Sequence, residues 1–160
     1  MSAVANSSDS AGINAGAGKT VRFYVLPEGA DVKQRLQLTC TLVEKAAQEN
    51  LRTLILCADD DMAAALDELL WSFKPESFIP HSLLDDEMAK YANIWLAVPP
   101  ARVNEADVII NLSLDPTPDI PRSCNRIFEI VTQHSDILNA TRKRFAAYRQ
   151  RGHEPQTHKL

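Results

Sequence analysis

The sequence predicts an α/β fold: one Rossmann-like domain with a mostly parallel sheet and helices on both faces. Three observations carry that expectation. Two short apolar runs, VRFYVL (Val21–Leu26) and TLILCA (Thr53–Ala58), each lead into a stretch with helical apolar spacing. The second run is continuously apolar, as a strand covered on both faces of a parallel sheet requires. Three further strand-like runs, joined by Pro-rich connections, and a final amphipathic helix follow, and the opening strand–helix–strand–helix order argues for an α/β sheet.

The elements are expected in this order. Val21–Leu26 forms the first strand, and Asp31 caps a helix carrying Leu36, Cys40, Val43 and Ala47 at spacings i, i+4, i+7 and i+11. Thr53–Ala58 is the second strand. Asp59, Asp60 and Asp61 open a second helix, complementing the dipole at its N-terminus, and it ends near Phe73. Pro75 and Pro80 punctuate the loop KPESFIPH. Ile94–Val98, Val108–Leu112 and Arg126–Val131 are further strands, and a last helix runs from about Ser135 to Arg151, stopping at Gly152.

The 160 residues make one domain of ordinary size, and no internal repeat is present. Residues 1–20 are rich in Ala, Gly, Ser and Asn without periodicity and are expected to form a flexible extension. The domain proper is expected over 21–152, with 153–160 as a flexible tail. The extension ends in GAGKT, but a phosphate loop needs a glycine where Ile13 stands, and it must follow a strand that here comes afterwards.

Composition narrows the class. With 45% hydrophobic and 24% charged residues the chain reads as a soluble globular protein. No apolar run approaches the roughly 18–20 residues of a membrane span, and no secretory signal is visible, so a cytoplasmic protein without membrane contact is expected. Residues 136–160 hold six Lys/Arg against two acids, a local +4, while the other 135 residues hold eleven against nineteen, a local −8. An acidic body suits general nucleic-acid binding poorly, since that requires many neutralised phosphates. A basic helix on such a body suits a small acidic ligand, although late Lys and Arg also serve as ordinary dipole complements.

Catalytic and metal signals are weak. Cys40, Cys57 and Cys124 are widely spaced and lack the rhythm of metal ligands, and the four histidines are scattered. There is no G-x-S-x-G elbow. A small nucleotide-binding Rossmann-like enzyme remains the alternative class. Its turn after the first strand, PEGADVKQR, has one glycine (Gly29) and two acids (Glu28, Asp31), which oppose a pyrophosphate. No cofactor is expected.

Two anomalies suggest binding surfaces. Met62, Leu66, Leu69, Leu70 and Phe73 share one arc of the second helix at about 100° per residue, and Trp71 points opposite its middle. Either the next loop covers Trp71 or it is an exposed anchor, tryptophan being enriched at binding hot spots. Phe78, in the proline-bounded loop, either joins that patch or packs inward. On the last helix Ile137, Leu138, Thr141, Phe145 and Tyr148 form the apolar face, with Arg142 and Arg149 along one edge. Cations beside an apolar cleft suit a peptide ending in a hydrophobic residue with a free carboxylate. A basic outer edge on a packed helix is the alternative.

The segment LDELLWSFKPESFIPHSL (Leu66–Leu83), the strand ADVIINLS and the stretch Arg142–Gly152 resemble the chi-subunit family of the bacterial DNA polymerase III holoenzyme. The resemblance runs from about Val21 to Gly152 but skips Leu84–Asn93. It implies a single α/β domain without catalysis of its own, bound to the psi subunit of the clamp loader. It also implies a hold on the acidic, phenylalanine-ended tail of single-stranded-DNA-binding protein, so that DNA is reached mainly indirectly. A repair helicase is a further partner that the family admits. Residue by residue, Trp71 and Phe78 match aromatics used for protein partners, psi among them. Val131, Arg142 and Phe145 match the tail pocket, with Arg142 on the carboxylate. A family tyrosine is Phe145 here and a family lysine is Leu138, and Arg149 is expected to compensate for the lost charge.

Overall fold

A computed structural model describes residues 19–74, 76 and 78–160. The expected extension therefore lies almost wholly outside the described residues. The described residues form seven strands and three helices, alternating only at the start and end of the chain: β1 (Thr20–Val25), α1 (Val32–Gln48), β2 (Thr53–Leu56), α2 (Asp60–Ser72), β3 (His81–Leu83), β4 (Ile94–Ala97), β5 (Val108–Asn111), β6 (Arg126–Val131), α3 (Ser135–Gln150) and β7 (Gln156–Lys159). A 3-10 turn, Glu87–Tyr91, precedes β4.

The strands form one sheet in the order β3-β4-β2-β5-β6-β1-β7, and every pairing is parallel. Its central strands β2 (TLIL) and β5 (VIIN) are buried throughout, because helices cover both faces. On one face α1 and α2 press Leu36, Cys40, Val43, Leu66 and Leu70 against Ile55, Ile94, Ile110 and Ile130. On the other, α3 packs Tyr148, Leu138 and Phe145 against Val21, Phe23, Leu56, Ile127 and Val131.

Local chemistry sets the helix ends. Asp31 accepts from the Gln34 amide while the Gln34 side chain accepts from the Asp31 amide, a reciprocal cap on α1. Asp59 accepts from the Met62 amide at the start of α2, with Asp60 and Asp61 in its first turn. After α3 the chain turns at Gly152, whose φ of 92° is the left-handed conformation that favours glycine.

One expectation is corrected. Residues 153–160 are not a loose tail over their length: Gln156–Lys159 pairs with Arg22–Val25 as β7, and the Leu160 amide donates to the Val25 carbonyl at 2.9 Å. The physical reason is that β1 would otherwise present an unpaired edge of N–H and C=O groups. A polar strand closes that edge without needing an apolar face of its own.

Candidate functional site

Where α3 crosses β1 and β6, their side chains leave a groove of about 150 Å³. Phe23 and Val25 of β1 and Val131 of β6 stand on one side of it, facing Leu138, Thr141, Arg142 and Phe145 of α3, and Thr157 of β7 lines it as well. The alternation of β1 sends Phe23 and Val25 to the α3 face and Tyr24 to the other, where Tyr24 packs against Phe128 with ring centroids 5.8 Å apart. Phe145 meets Phe23 at 5.1 Å between centroids and 59° between planes, a tilted contact that fixes one wall. The Thr141 hydroxyl donates to the Ile137 carbonyl at 2.8 Å and is thus engaged within the helix.

Apart from the Thr157 hydroxyl and the guanidinium of exposed Arg142, the groove is therefore apolar. Its volume suits a single large side chain and falls short of the ~300–1,000 Å³ typical of cofactor pockets. The sequence-derived residues Val131, Arg142 and Phe145 come together here. Arg149 does not line the groove. Seven residues return it to nearly the same azimuth as Arg142, but about 10 Å farther along the helix axis.

Phe23, Val25 and Thr157 had no place in the sequence-derived pocket. The alternation of VRFYV could have put Phe23 and Val25 on one face, but nothing local says that α3 would cover that face. Arg144, counted among the basic residues of the last helix, contributes nothing to the surface: it is buried on Glu129 of β6.

The other anomaly lies at the opposite edge of the sheet. Trp71 of α2 is 53% exposed and Phe78 70%, and their ring centroids are 5.4 Å apart. Beneath Trp71, at 4.5 Å, sits the ring of His81, the first residue of β3. His81 Nδ1 lies 2.7 Å from the Ile79 carbonyl, and Nε2 lies 3.2 and 3.1 Å from the Asp67 carbonyl and carboxylate. The structure thus joins Trp71 and Phe78 in one exposed aromatic pair on a braced base. His81 escaped the sequence reading because a buried histidine has no periodic signature.

The mouth of α1 does not favour the nucleotide-dependent alternative. The Asp31 carboxylate already caps the helix N-terminus that a phosphate would need. Among the described residues, no helix is long and apolar enough to cross a membrane.

Fold and site together define a single parallel α/β domain with two separate surface features, a cation-rimmed apolar groove and an exposed aromatic pair. A family model described as the DNA polymerase III chi subunit matches residues 19–156. DNA polymerase III subunit chi of Pseudomonas aeruginosa is 39% identical over 140 residues, covering 88% of this chain and 96% of that protein. The Escherichia coli protein of the same name is 29% identical over 138 residues, covering 84% and 93%. The chain belongs to the DNA polymerase III chi subunit family. The crystal structure of T4 UvsW superposes with a TM-score of 0.61 at 11% identity, over 88% of this chain and 41% of that one, a likeness of fold.

Proposed function

We propose that the protein is a non-catalytic, cytoplasmic adaptor of DNA replication. It joins the clamp loader through the psi subunit and holds the acidic C-terminal tail of single-stranded-DNA-binding protein. The observation that carries the tail assignment is the groove itself, small, mostly apolar, and rimmed by Arg142. A peptide ending in phenylalanine offers a ring for such a groove and a carboxylate for such a guanidinium. The Trp71–Phe78 pair supports the second contact, because exposed aromatic pairs are costly to leave in water and are typical anchors. Membership of the chi family supports a place in the polymerase III assembly.

The work of such an adaptor is tethering: it raises the local concentration of polymerase at coated single strands and performs no chemistry. Recruitment to coated DNA tests this reading. The protein should join single strands coated by tail-bearing binding protein and not those coated by a tail-less form, compared at one ionic strength. Equal recruitment to both would remove the tail from the account. On bare single-stranded DNA its dissociation constant should be no tighter than roughly 10⁻⁴–10⁻⁶ M, the range of non-specific binders.

A further inference from the structure

The strand that closes the sheet also reaches the groove. In the parallel pair β1–β7, Phe23 stands beside Thr157, Tyr24 beside His158 and Val25 beside Lys159. Residues paired in this way project to the same face, and successive residues alternate. The rings agree: His158 lies 5.8 Å from Tyr24 on the face away from α3. Thr157 lines the groove with Phe23 and Val25 on the α3 face. Lys159 is not itself among the lining residues, but it therefore shares the α3 face with Thr157 and stands beside Val25, which is. The Leu160 amide, bonded to the Val25 carbonyl, holds that end of the strand in place. Lys159 is exposed, and among the described residues no carboxylate pairs with it.

We infer that Lys159 is a second cation of this groove, facing Arg142 from the β7 wall and reading the acidic side chains that precede the peptide's terminal residue. The inference rests on the groove being the site of an acidic, hydrophobic-ended tail. The two cations divide the work by their chemistry. The planar guanidinium of Arg142 presents paired donors to a carboxylate held in one place, the chain terminus. The ammonium of Lys159 is a point charge on a flexible stem and suits side-chain carboxylates whose positions vary.

The test uses the full chain and two fluorescent peptides, both ending in phenylalanine with a free carboxylate. One carries several aspartates upstream; in the other these are asparagines. Lys159→Ala should weaken the acidic peptide about three- to fivefold at low ionic strength, the scale of an exposed ion pair. It should leave the asparagine peptide within twofold of wild type, and Lys159→Arg should restore most of the loss. An equal loss for both peptides, or none for the acidic one, overturns the role of Lys159. If the wild type binds neither peptide, or binds them unaffected by Arg142→Ala, the groove assignment fails and the inference fails with it. If binding depends on Arg142 and ignores Lys159, the groove assignment survives alone. An unchanged melting temperature for Lys159→Ala shows that β7 still closes the sheet.

Discussion

Arg144 grips Glu129 side-on across the interface of α3 and β6. Its Nε donates to Oε2 at 2.9 Å and its Nη2 to Oε1 at 2.8 Å, and neither side chain is more than 1% exposed. The Tyr148 hydroxyl donates to the same carboxylate at 2.8 Å, and Arg144 Nη1 donates to the Asp115 carbonyl at 2.8 Å. Burial pushes the Glu129 carboxyl above the usual carboxylate range, and the guanidinium and phenol oppose that rise. The pair fixes how α3 lies on the sheet, and so where Arg142 and Phe145 stand relative to Phe23 and Val131.

Breaking this pair from one side should be costly. Glu129→Gln leaves the Arg144 charge buried without its counter-ion, and a loss of about 3–5 kcal/mol is expected. Urea unfolding would show it as a lower midpoint at unchanged slope. Replacing both partners by apolar residues of similar volume, Glu129→Leu with Arg144→Met, should cost clearly less than the single change. A Glu129→Gln cost under about 1 kcal/mol would mean that the pair does not anchor α3.

The terminal carboxylate is the second target. Arg142→Ala should weaken a phenylalanine-ended acidic peptide about tenfold or more, as expected for a lost hydrogen bond to a charged group. Amidating the peptide's C-terminus should weaken wild-type binding to a similar degree. Equal affinity for the acid and the amide would show that Arg142 reads some other group.

Arg149 supplies a negative control with content. It shares an azimuth with Arg142 but lies about 10 Å along the axis, outside the groove. Arg149→Ala should change peptide affinity less than twofold at physiological salt, where a solvated charge at that distance is largely screened. A loss as large as that of Arg142→Ala would extend the peptide's path along the whole helix.

The position of Arg149, outside the residues that line the groove, shows what kind of information the sequence holds. Seven-residue spacing specifies a direction around a helix and says nothing of which strands lie beneath each turn. Strands β2 and β5 were legible because burial on both faces leaves continuous apolar runs. Helices α1 and α2 were legible because Asp31 and Asp59 mark their starts. By contrast β3 and β7 are edge strands of three and four residues. The segment HEPQTHKL carries no apolar alternation, since its hydrogen bonds to β1 do the ordering. Its Thr157 wall of the groove was therefore invisible. The aromatic pair was legible because Trp71 breaks the helical pattern of its own segment. Its base, His81, depends on contacts to Asp67 and Ile79 that no local pattern encodes.

The last prediction concerns independence of the two surfaces. Trp71 belongs to α2, on one face of the sheet, near the edge formed by β3. The groove lies on the opposite face, at β1 and β7. Five strand spacings of roughly 4.8 Å separate β3 from β1, about 24 Å in all, with the buried sheet between the two faces. Substitutions that far apart with no shared partner should act additively. Trp71→Ala should cut psi binding by at least tenfold, as for an aromatic anchor, and leave the acidic peptide's affinity unchanged. Arg142→Ala should do the reverse. Because Trp71 is half exposed, its removal should lower stability by no more than about 1 kcal/mol, so a fold defect is separable from a binding defect by urea titration. The double variant should lose both activities by the sum of the single effects in free energy. A well-folded Trp71→Ala protein that loses the peptide as well would mean that psi and the tail share one surface, and the division of labour between the two edges of the sheet would fall.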